Sequence, residues 1–233
     1  MAILDIKEYK DNHNEIRDSI RSDKKEDIKI LSVSKSHPVE ALLNAYESGL
    51  RVFGENYVQE MVDKYKAIDE ETRKDIEWHF IGHLQTNKVK YIAPFVNCIH
   101  SVYKEKLAKE IDKRAKENNR IINVLLQINT SGEDSKSGCS PDEAELILKN
   151  SLELENITFV GLMTISGLES TNDERKQEFK LLRKLRDQLE DKFNISLPEL
   201  SMGMTSDYHE AIEEGATMIR IGTAIFGERK KLK

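Results

Sequence analysis

The sequence lacks three things: a set of cysteines, a long apolar run and an excess of positive charge. Only Cys98 and Cys139 occur among 233 residues, which is too few for a disulfide framework, and they lack the spacing of a zinc site. We therefore predict a reducing compartment, the cytoplasm, and no bound metal. Acidic residues interrupt Met1–Glu8, where a signal peptide needs an apolar core, and no later run reaches membrane-spanning length. We expect an unexported chain with no membrane partner.

The charge balance disfavours nucleic acid as the main partner. The formal net charge is −6 and the sequence pI is about 5.7, whereas binding to a phosphate backbone needs a basic patch. Lysines and arginines are instead scattered among acidic residues, as in residues 103–114. This pattern is typical of a solvated helix face.

Short apolar runs rich in β-branched residues recur along the chain, and each precedes a longer charged segment with helical spacing of its apolar residues. This alternation is typical of βαβ units. Eight strands in sequence predict a single α/β domain over residues 1–233, a (β/α)₈ TIM barrel. The predicted strands are Ile28–Lys35, Arg51–Asn56, Trp78–Gly82, Cys98–Val102, Ile122–Asn129, Thr158–Ile165, Leu200–Gly203 and Met218–Thr223.

Capping motifs support the predicted helix boundaries. Residues 140–143 place a serine, a proline and a glutamate where a helix begins, and residues 171–174 repeat the capping box. The second of these helices keeps one apolar stripe as far as Phe193 and ends before Pro198. An additional N-terminal helix, roughly Ile3–Arg21, either closes the bottom of the barrel or packs outside it.

Lys35 is the most unusual residue at a predicted strand end. Functional groups of such barrels gather at the carboxyl ends of the strands, and the first strand ends in Ser32-Val-Ser-Lys35. One interpretation is an amine that reaches from the rim into water. The other is a nucleophile, because enclosure favours the neutral amine, which condenses with aldehydes.

The last two strands end in small and hydroxylated residues that suit an anion. Ser201 and Thr223 offer hydroxyls, and Gly203 and Gly222 let backbone amides approach a ligand. Barrels often bind phosphate at the seventh and eighth strands, so we predict a phosphate site there. Tight turns after strands also need glycine, which is the structural alternative.

Two polar residues in the second and third units are further candidates for ligand contact. Asn56 follows the second strand and His79 lies within the third. Taken singly, each residue has a purely structural alternative: Asn56 as the cap of the next helix, and His79 as a core histidine satisfied by a neighbour. Their convergence on one barrel mouth favours contact with a ligand.

The chain resembles the pyridoxal phosphate homeostasis proteins, also called the YggS or proline-synthetase co-transcribed family, almost from end to end. The resemblance implies a barrel related to the N-terminal domain of alanine racemase, with Lys35 bound as a Schiff base to pyridoxal 5′-phosphate (PLP) and no established turnover. The residues that carry it are Ser32–Lys35, Phe53–Glu60, Trp78–Gln85 with Asn87-Lys88, Asn129–Gly138, Gly161–Thr164, Ser201–Met204 and Arg220–Gly227.

The same resemblance implies roles for particular residues. Ser201, Gly222 and Thr223 would hold the phosphate, and Arg220 would face the pyridine nitrogen. The other residues expected at the cofactor are Asn56 and His79, which would lie near the ring, and Met204 and Thr205 in the same segment as Ser201. An arginine at the pyridine nitrogen disfavours a pyridinium, so carbanion chemistry would be poorly supported.

Two departures from the family pattern lie close to these residues. Ser36-His37 stands where relatives often have Thr-Lys, and Thr205 stands where a serine is more usual. The hydroxyl is kept at positions 36 and 205, so we expect cofactor binding to persist. The charge beside Lys35 differs, and so affinity could differ from that of relatives.

Three functions remain open. The first, implied by the resemblance, is a monomeric PLP-binding protein without catalytic residues that serves PLP (vitamin B6) homeostasis, supplies PLP-dependent apo-enzymes and affects amino-acid and keto-acid balance. The second is a PLP-dependent amino-acid racemase, for which Tyr57 would have to replace the tyrosine that racemases take from a second domain. The third is a phosphate-binding barrel in which Lys35 forms no Schiff base. Lys136 is a second candidate amine, which could take PLP from Lys35 as it leaves the site or be only a loop lysine.

Overall fold

The computed structural model describes residues 3–22, 28–133, 137–167 and 169–228. Within these residues, eight parallel strands pair in chain order and close into a barrel, because β1 pairs with both β2 and β8. The predicted (β/α)₈ barrel is thus confirmed. The strands are β1 (Lys29–Val33), β2 (Val52–Glu55), β3 (Glu77–Phe80), β4 (Cys98–Val102), β5 (Ile122–Gln127), β6 (Ile157–Met163), β7 (Glu199–Met204) and β8 (Met218–Ile221).

Helices alternate with the strands, and two of them begin at the capping boxes that the sequence predicts. Ser140 and Thr171 each form a complete capping box with the glutamate three residues later. The helices are α1 (Ile6–Ser22), α2 (Val39–Glu47), α3 (Val58–Ala67), α4 (Glu70–Asp75), α5 (Val89–Ile92), α6 (Glu105–Glu117), α7 (Pro141–Ser151), α8 (Asn172–Phe193), α9 (Tyr208–Glu213) and α10 (Thr223–Phe226), with a 3₁₀ turn at Thr86–Lys88.

The N-terminal helix α1 packs outside the barrel, against α2 and α10. It begins at Ile6 rather than at the predicted Ile3, because Asp5 and Glu8 accept hydrogen bonds from each other's backbone N–H and so cap the helix there. Its apolar side contacts α10, where the ring centroids of Tyr9 and Phe226 are 5.4 Å apart.

Six strands (β1, β2, β3, β5, β6 and β8) end one or two residues earlier at the mouth than the sequence predicts, and the first and last of them affect predicted site residues. The first strand ends at Val33 instead of Lys35. The chain turns there, because the N–H of His37 donates to Ser34 O (3.1 Å) and Ser36 adopts a left-handed φ of 63°. The last strand ends at Ile221 instead of Thr223, because Thr223 is already the first residue of α10. Lys35 therefore lies on a loop and Thr223 at the start of α10, and both line the cavity described below.

The core has an apolar shell, and the barrel interior contains polar side chains beside small apolar clusters such as that of Leu31, Val33 and Met218. Along β3, Trp78 and Phe80 are fully buried in the main apolar cluster. His79 lies between them, and alternation along a strand turns it to the opposite side, the barrel interior. His100 and Arg220 are also buried there and hydrogen-bonded. None of the helices in the described part of the chain is long and apolar enough to span a bilayer.

Candidate functional site

A cavity of about 430 Å³ opens at the carboxyl ends of the strands. It brings together seven of the nine residues that the sequence singled out: Lys35, Asn56, Met204, Thr205, Arg220, Gly222 and Thr223. The remaining lining residues, which sequence reasoning missed, are Val33, Ile81, Ile165 and Ser206. Ser206 adjoins the predicted Thr205 and adds another hydroxyl, whereas the other three form an apolar wall.

Lys35 is half-buried, and the backbone on both sides of it is held by charged side chains of α3. Lys64 Nζ donates to the carbonyl oxygen of Ser34 (2.7 Å), and the N–H of Ser36 donates to Glu60 Oε1 (2.6 Å). The left-handed conformation of Ser36 is unusual for a residue other than glycine. These two bonds hold the turn and so fix the direction in which Lys35 leaves it.

Lys64 is the centre of a buried ionic cluster beneath this turn. Its Nζ lies 2.6 Å from Glu55 Oε1 and 2.8 Å from Glu60 Oε1, and the hydroxyl of Ser34 also donates to Glu55 Oε1 (2.6 Å). Burial raises the pKa of Glu55, and the charge of Lys64 opposes that rise. A buried carboxylate needs such a partner. The helical spacing of α3 gave no sign of the cluster, but a glutamate within an apolar strand was a signal that some cation must approach it.

Asn56 carries a buried acceptor that no described residue satisfies. The cap of α3 is Tyr57 and makes no side-chain bond, so the interpretation of Asn56 as a helix cap is wrong. Within the described residues, Asn56 Oδ1 has no hydrogen-bond partner. A Cβ on Gly82 would lie 2.0 Å from the carbonyl oxygen of Asn56, so only glycine lets the ends of β2 and β3 approach this closely. Buried acceptors are normally paired, and Asn56 is one of the residues that line the cavity.

The end of β7 and the segment that follows it form a fixed loop at the cavity. Gly203 has φ of 91°, and a Cβ there would lie 2.7 Å from the Cβ of Ala211 on α9. Asp207 accepts from the N–H of Met204 (2.6 Å) and from the hydroxyl of Ser166, so the loop between them is fixed. Thr205 is exposed at its tip. Hydroxyls on a fixed loop are suited to holding an anion.

Arg220 reaches the cavity from β8 and is buried. Its Nη1 donates to the carbonyl oxygen (2.6 Å) and hydroxyl oxygen (2.9 Å) of Ser201, and its Nη2 donates to the carbonyl oxygen of Thr164 (2.8 Å). Burial lowers the pKa of Arg220 to about 10, partly opposed by the charge of Asp207. The guanidinium therefore keeps its charge at neutral pH.

His79 and Ser201 were predicted to contact the cofactor, but the structure places both below the cavity. His79 Nδ1 lies 2.8 Å from His100 Nε2, and its Nε2 lies 2.8 Å from Glu77 Oε1. Ser201 is fully buried, with its hydroxyl between His100 and Arg220. Both side chains are satisfied inside the protein, because they lie deeper in the barrel than the strand ends. The hydrogen bonds of His79 agree with the alternative of a core histidine satisfied by a neighbour, and its contact with the cofactor stays a prediction.

The structure also shows the surroundings of His37, which belongs to the departure from the family pattern next to Lys35. His37 packs its ring against Phe226 of α10 at 5.2 Å, which ties the loop after β1 to the helix after β8. The other watched residue, Lys136, lies outside the described residues.

The chain matches the family described as alanine racemase, N-terminal domain, over residues 4–230. It is similar to the pyridoxal phosphate homeostasis protein of Aquifex aeolicus, with 48% identity over 202 residues that cover 87% of each chain. It is also similar to the protein of the same name from Schizosaccharomyces pombe, with 38% identity over 203 residues, 86% of this chain and 84% of the relative.

Solved structures give the same result. PipY of Synechococcus elongatus with PLP bound superposes with a TM-score of 0.82 at 33% identity, over 94% of this chain and 100% of PipY. An alanine racemase of Clostridium difficile gives a TM-score of 0.79 at 16% identity, over 98% of this chain and 58% of the racemase. The likeness to the racemase concerns the fold alone.

Proposed function

Since the chain belongs to the family of the pyridoxal phosphate homeostasis proteins, which share the alanine racemase N-terminal domain, we propose that it binds PLP in the cavity at the barrel mouth. Lys35 is the amine that links to the cofactor. The observation that carries the proposal is the cavity itself, because Lys35, Arg220, Thr205 and Thr223 line one space. Two cationic residues and two hydroxyls suit a small anion that bears an aldehyde.

The residues present fit this cofactor in two further respects. The unpaired Oδ1 of Asn56 is an acceptor that a bound molecule with a hydroxyl or N–H donor would satisfy. The loop after Gly203, together with Gly222 and Thr223, offers hydroxyls and closely approaching backbone for the phosphate. The apolar side chains of Val33, Ile81 and Ile165 suit the faces of a ring.

When bound, PLP supplies an aldehyde that condenses reversibly with an amine and a pyridine ring that withdraws electrons. Lys35 provides the amine from a turn whose backbone is fixed on both sides. Arg220 is the residue that we propose faces the ring nitrogen, and its charge disfavours a proton on that nitrogen. Arg220 thereby weakens the electron withdrawal on which carbanion chemistry depends.

The cavity lining favours a carrier over a racemase. Racemisation needs an acid or base on each face of the substrate carbanion. Among the described residues that line the cavity, Lys35 is the one amine, and no tyrosine, histidine or carboxylate lies with it as a second acid or base. Tyr57, the candidate replacement, is 61% exposed and does not line the cavity.

We therefore assign the chain a role in PLP homeostasis, with residues 1–233 acting as one binding domain and without catalytic turnover. A reversible link at Lys35 keeps a reactive aldehyde bound and still allows its release. The recipients in this proposal are PLP-dependent apo-enzymes of the cytoplasm, and the binding protein is a monomer. Amino-acid and keto-acid balance would then respond to loss of the protein.

Borohydride reduction of the PLP-loaded protein, followed by peptide mass mapping, tests the assignment. We expect the reduced cofactor on Lys35 and on no other residue, and no labelling of the Lys35→Ala variant. Lys149→Ala is the matched control, because Lys149 is exposed on α7, away from the cavity, and its labelling should equal that of the wild type.

Three outcomes would contradict the proposal. Labelling of Lys136 in the wild type would move the link to a different lysine. Retention of unlinked PLP by the wild type would favour the phosphate-binding barrel without a covalent link. Exchange of the α-proton of an amino acid in deuterated water, with an inverted product, would instead establish a racemase.

A further inference from the structure

Five polar side chains form an unbroken line of hydrogen bonds through the barrel interior, and together they are called the interior chain here. It begins at Glu77 on β3, passes through His79 and then His100 on β4, and reaches Ser201 on β7 and Arg220 on β8. The successive distances are 2.8 Å from Glu77 Oε1 to His79 Nε2, 2.8 Å from His79 Nδ1 to His100 Nε2, 3.0 Å from His100 Nδ1 to Ser201 Oγ and 2.9 Å from Ser201 Oγ to Arg220 Nη1.

The two ends of the interior chain, together with neutral imidazoles, set the direction of every donor in it. The Glu77 carboxylate only accepts, since its pKa is lowered to about 2, chiefly by its hydrogen bond with His79, so His79 carries a proton on Nε2. Because burial favours the neutral form of both rings, His79 Nδ1 accepts, and the proton between the two rings lies on His100 Nε2. His100 Nδ1 then accepts from the hydroxyl of Ser201, and Ser201 Oγ accepts from Arg220, which only donates.

This arrangement leaves both imidazoles neutral and satisfies both nitrogens of each ring. Each histidine carries its single proton on Nε2, and each Nδ1 accepts. Burial, which lowers the pKa of His79 and of His100, acts in the same direction. Every link therefore donates toward Glu77, and successive links of such a chain polarise one another.

The close histidines, together with Cys98, raise the alternative of a metal site, because their ligand atoms all lie within 4.8 Å of one another. The separation of the two ring nitrogens favours the hydrogen bond. Two nitrogens at the usual 2.0–2.1 Å from a tetrahedral zinc ion would be roughly 3.3 Å apart, whereas His79 Nδ1 and His100 Nε2 are 2.8 Å apart.

We propose that His79 and His100 are positioning residues that act through Ser201 to hold Arg220 in place at the cavity. His100 keeps the lone pairs of Ser201 Oγ turned toward the guanidinium, and His79 keeps His100 in the tautomer that this requires. The bonds to Ser201 and Thr164 engage three of the five N–H groups of Arg220. The other two belong to a side chain that lines the cavity. The consequence for PLP rests on the proposed function above.

The first test uses the protein without PLP, so it does not depend on the proposed function. ¹⁵N-detected NMR of the imidazole groups, with resonances assigned through His79→Gln and His100→Gln variants, reports which nitrogen carries the proton. We expect both rings to be neutral, protonated on Nε2 and unchanged from about pH 5.5 to 8.5, with free imidazole as the titrating reference. A proton on Nδ1 of either ring, an imidazolium, or zinc retained after purification in metal analysis would overturn the interior chain.

The second test measures the effect on PLP. His100→Phe keeps the ring shape but removes the acceptor for Ser201, and Ser201→Ala removes the same link with a smaller change. We expect each to weaken PLP affinity about tenfold, the size of one hydrogen bond to a charged group, and to change the pH dependence of the absorption of bound PLP. His100→Gln, which can accept and donate, should restore most of the affinity.

The outcomes separate the two proposals. Unchanged affinity and unchanged pH dependence in both His100→Phe and Ser201→Ala, with both variants folded by circular dichroism, would refute the positioning role while Lys35 remained labelled. Failure to label Lys35 in the wild type would refute the proposed link and would leave the NMR result on the interior chain intact.

Discussion

The mouth of the barrel and the interior just below it both contain polar residues, but they differ in whether those residues have hydrogen-bond partners within the protein. At the mouth, Asn56 Oδ1 is buried without a partner among the described residues, and Thr205 and Thr223 are exposed. In the interior, both nitrogens of His79 and His100 are hydrogen-bonded at 3.0 Å or less. Unsatisfied groups have capacity for a ligand, whereas satisfied groups can only position their neighbours.

This difference explains why residue type alone did not separate ligand contacts from supporting residues. His79 and Ser201 have chemistry suited to a cofactor, yet their hydrogen bonds are already used inside the barrel. Asn56 has less distinctive chemistry but retains an open acceptor. The predictions below test the two regions against each other, beginning with the largest expected effect.

Lys64→Met should destabilise the protein most, because it removes the cation beside the buried Glu55. Breaking a buried ion pair from one side costs about 3–5 kcal/mol, and the turn that carries Lys35 also loses its bond to Ser34 O. Urea unfolding followed by circular dichroism measures the loss. Lys74→Met is the control, since its pair with Glu70 is exposed and should contribute less than about 1 kcal/mol. Equal effects of the two variants would show that the cluster under Lys35 is not structurally important.

Gly203→Ala should destabilise the loop at the mouth by about 2–3 kcal/mol, because a left-handed backbone and a contact of 2.7 Å with Ala211 act together. Gly49→Ala is a matched control, since Gly49 has φ of 108° but nothing within 4 Å of an added Cβ. It should cost about 1 kcal/mol. The difference in stability between the two variants, measured by thermal unfolding, gives the contribution of the close contact with Ala211. Equal stability of the two variants would show that this contact contributes nothing.

Asn56→Ala should affect binding more than stability. Its Oδ1 makes no bond within the described residues, so the free energy of unfolding without PLP should change by less than about 0.5 kcal/mol. PLP affinity, measured by fluorescence titration, should fall about tenfold if this acceptor contacts the cofactor. A large loss of stability with unchanged affinity would place Asn56 among the satisfied residues instead.

Glu77→Gln should give the smallest effect, and only as the pH changes. The folded pKa of Glu77, about 2, lies below the ordinary value of 4.5 for a glutamate, so ionised Glu77 contributes stability above about pH 4.5 that is lost as the pH falls toward 2. The side chain is 39% exposed, and screening by water reduces the contribution to about 1 kcal/mol. Urea unfolding from pH 3 to 7 should show a stability difference between wild type and variant that shrinks toward acid. A constant difference would contradict the assignment of Glu77 as the ionised end of the interior chain.

Much of the architecture could be predicted from local sequence. Alternation of apolar runs with charged helical segments predicted all eight strands, because burial on both faces leaves a strong apolar signal. The capping boxes at Ser140 and Thr171 predicted the starts of α7 and α8. The mouth ends of β1 and β8 were predicted too long, because the turn at Ser36 and the start of α10 depend on contacts with distant residues.

The supporting residues were harder to predict than the cavity. Lys64 lies on a helix with ordinary charged spacing, and only folding brings it against Glu55 and Glu60. His100 lies within an apolar strand and was not singled out, although a polar residue inside such a strand needs a partner somewhere. Which partner it finds depends on the barrel closing, since Ser201 lies on β7.

Closure of the barrel also has a consequence for biosynthesis. Because β1 pairs with β8, Lys35 and Arg220 come from opposite ends of the polypeptide and face the same cavity only after the eighth strand has left the ribosome. Nascent and prematurely terminated chains therefore contain Lys35 but lack the side of the cavity that β8 and Arg220 form. We expect vitamin capture to begin only after translation of this strand, so truncated chains should not compete with the finished protein for a scarce aldehyde.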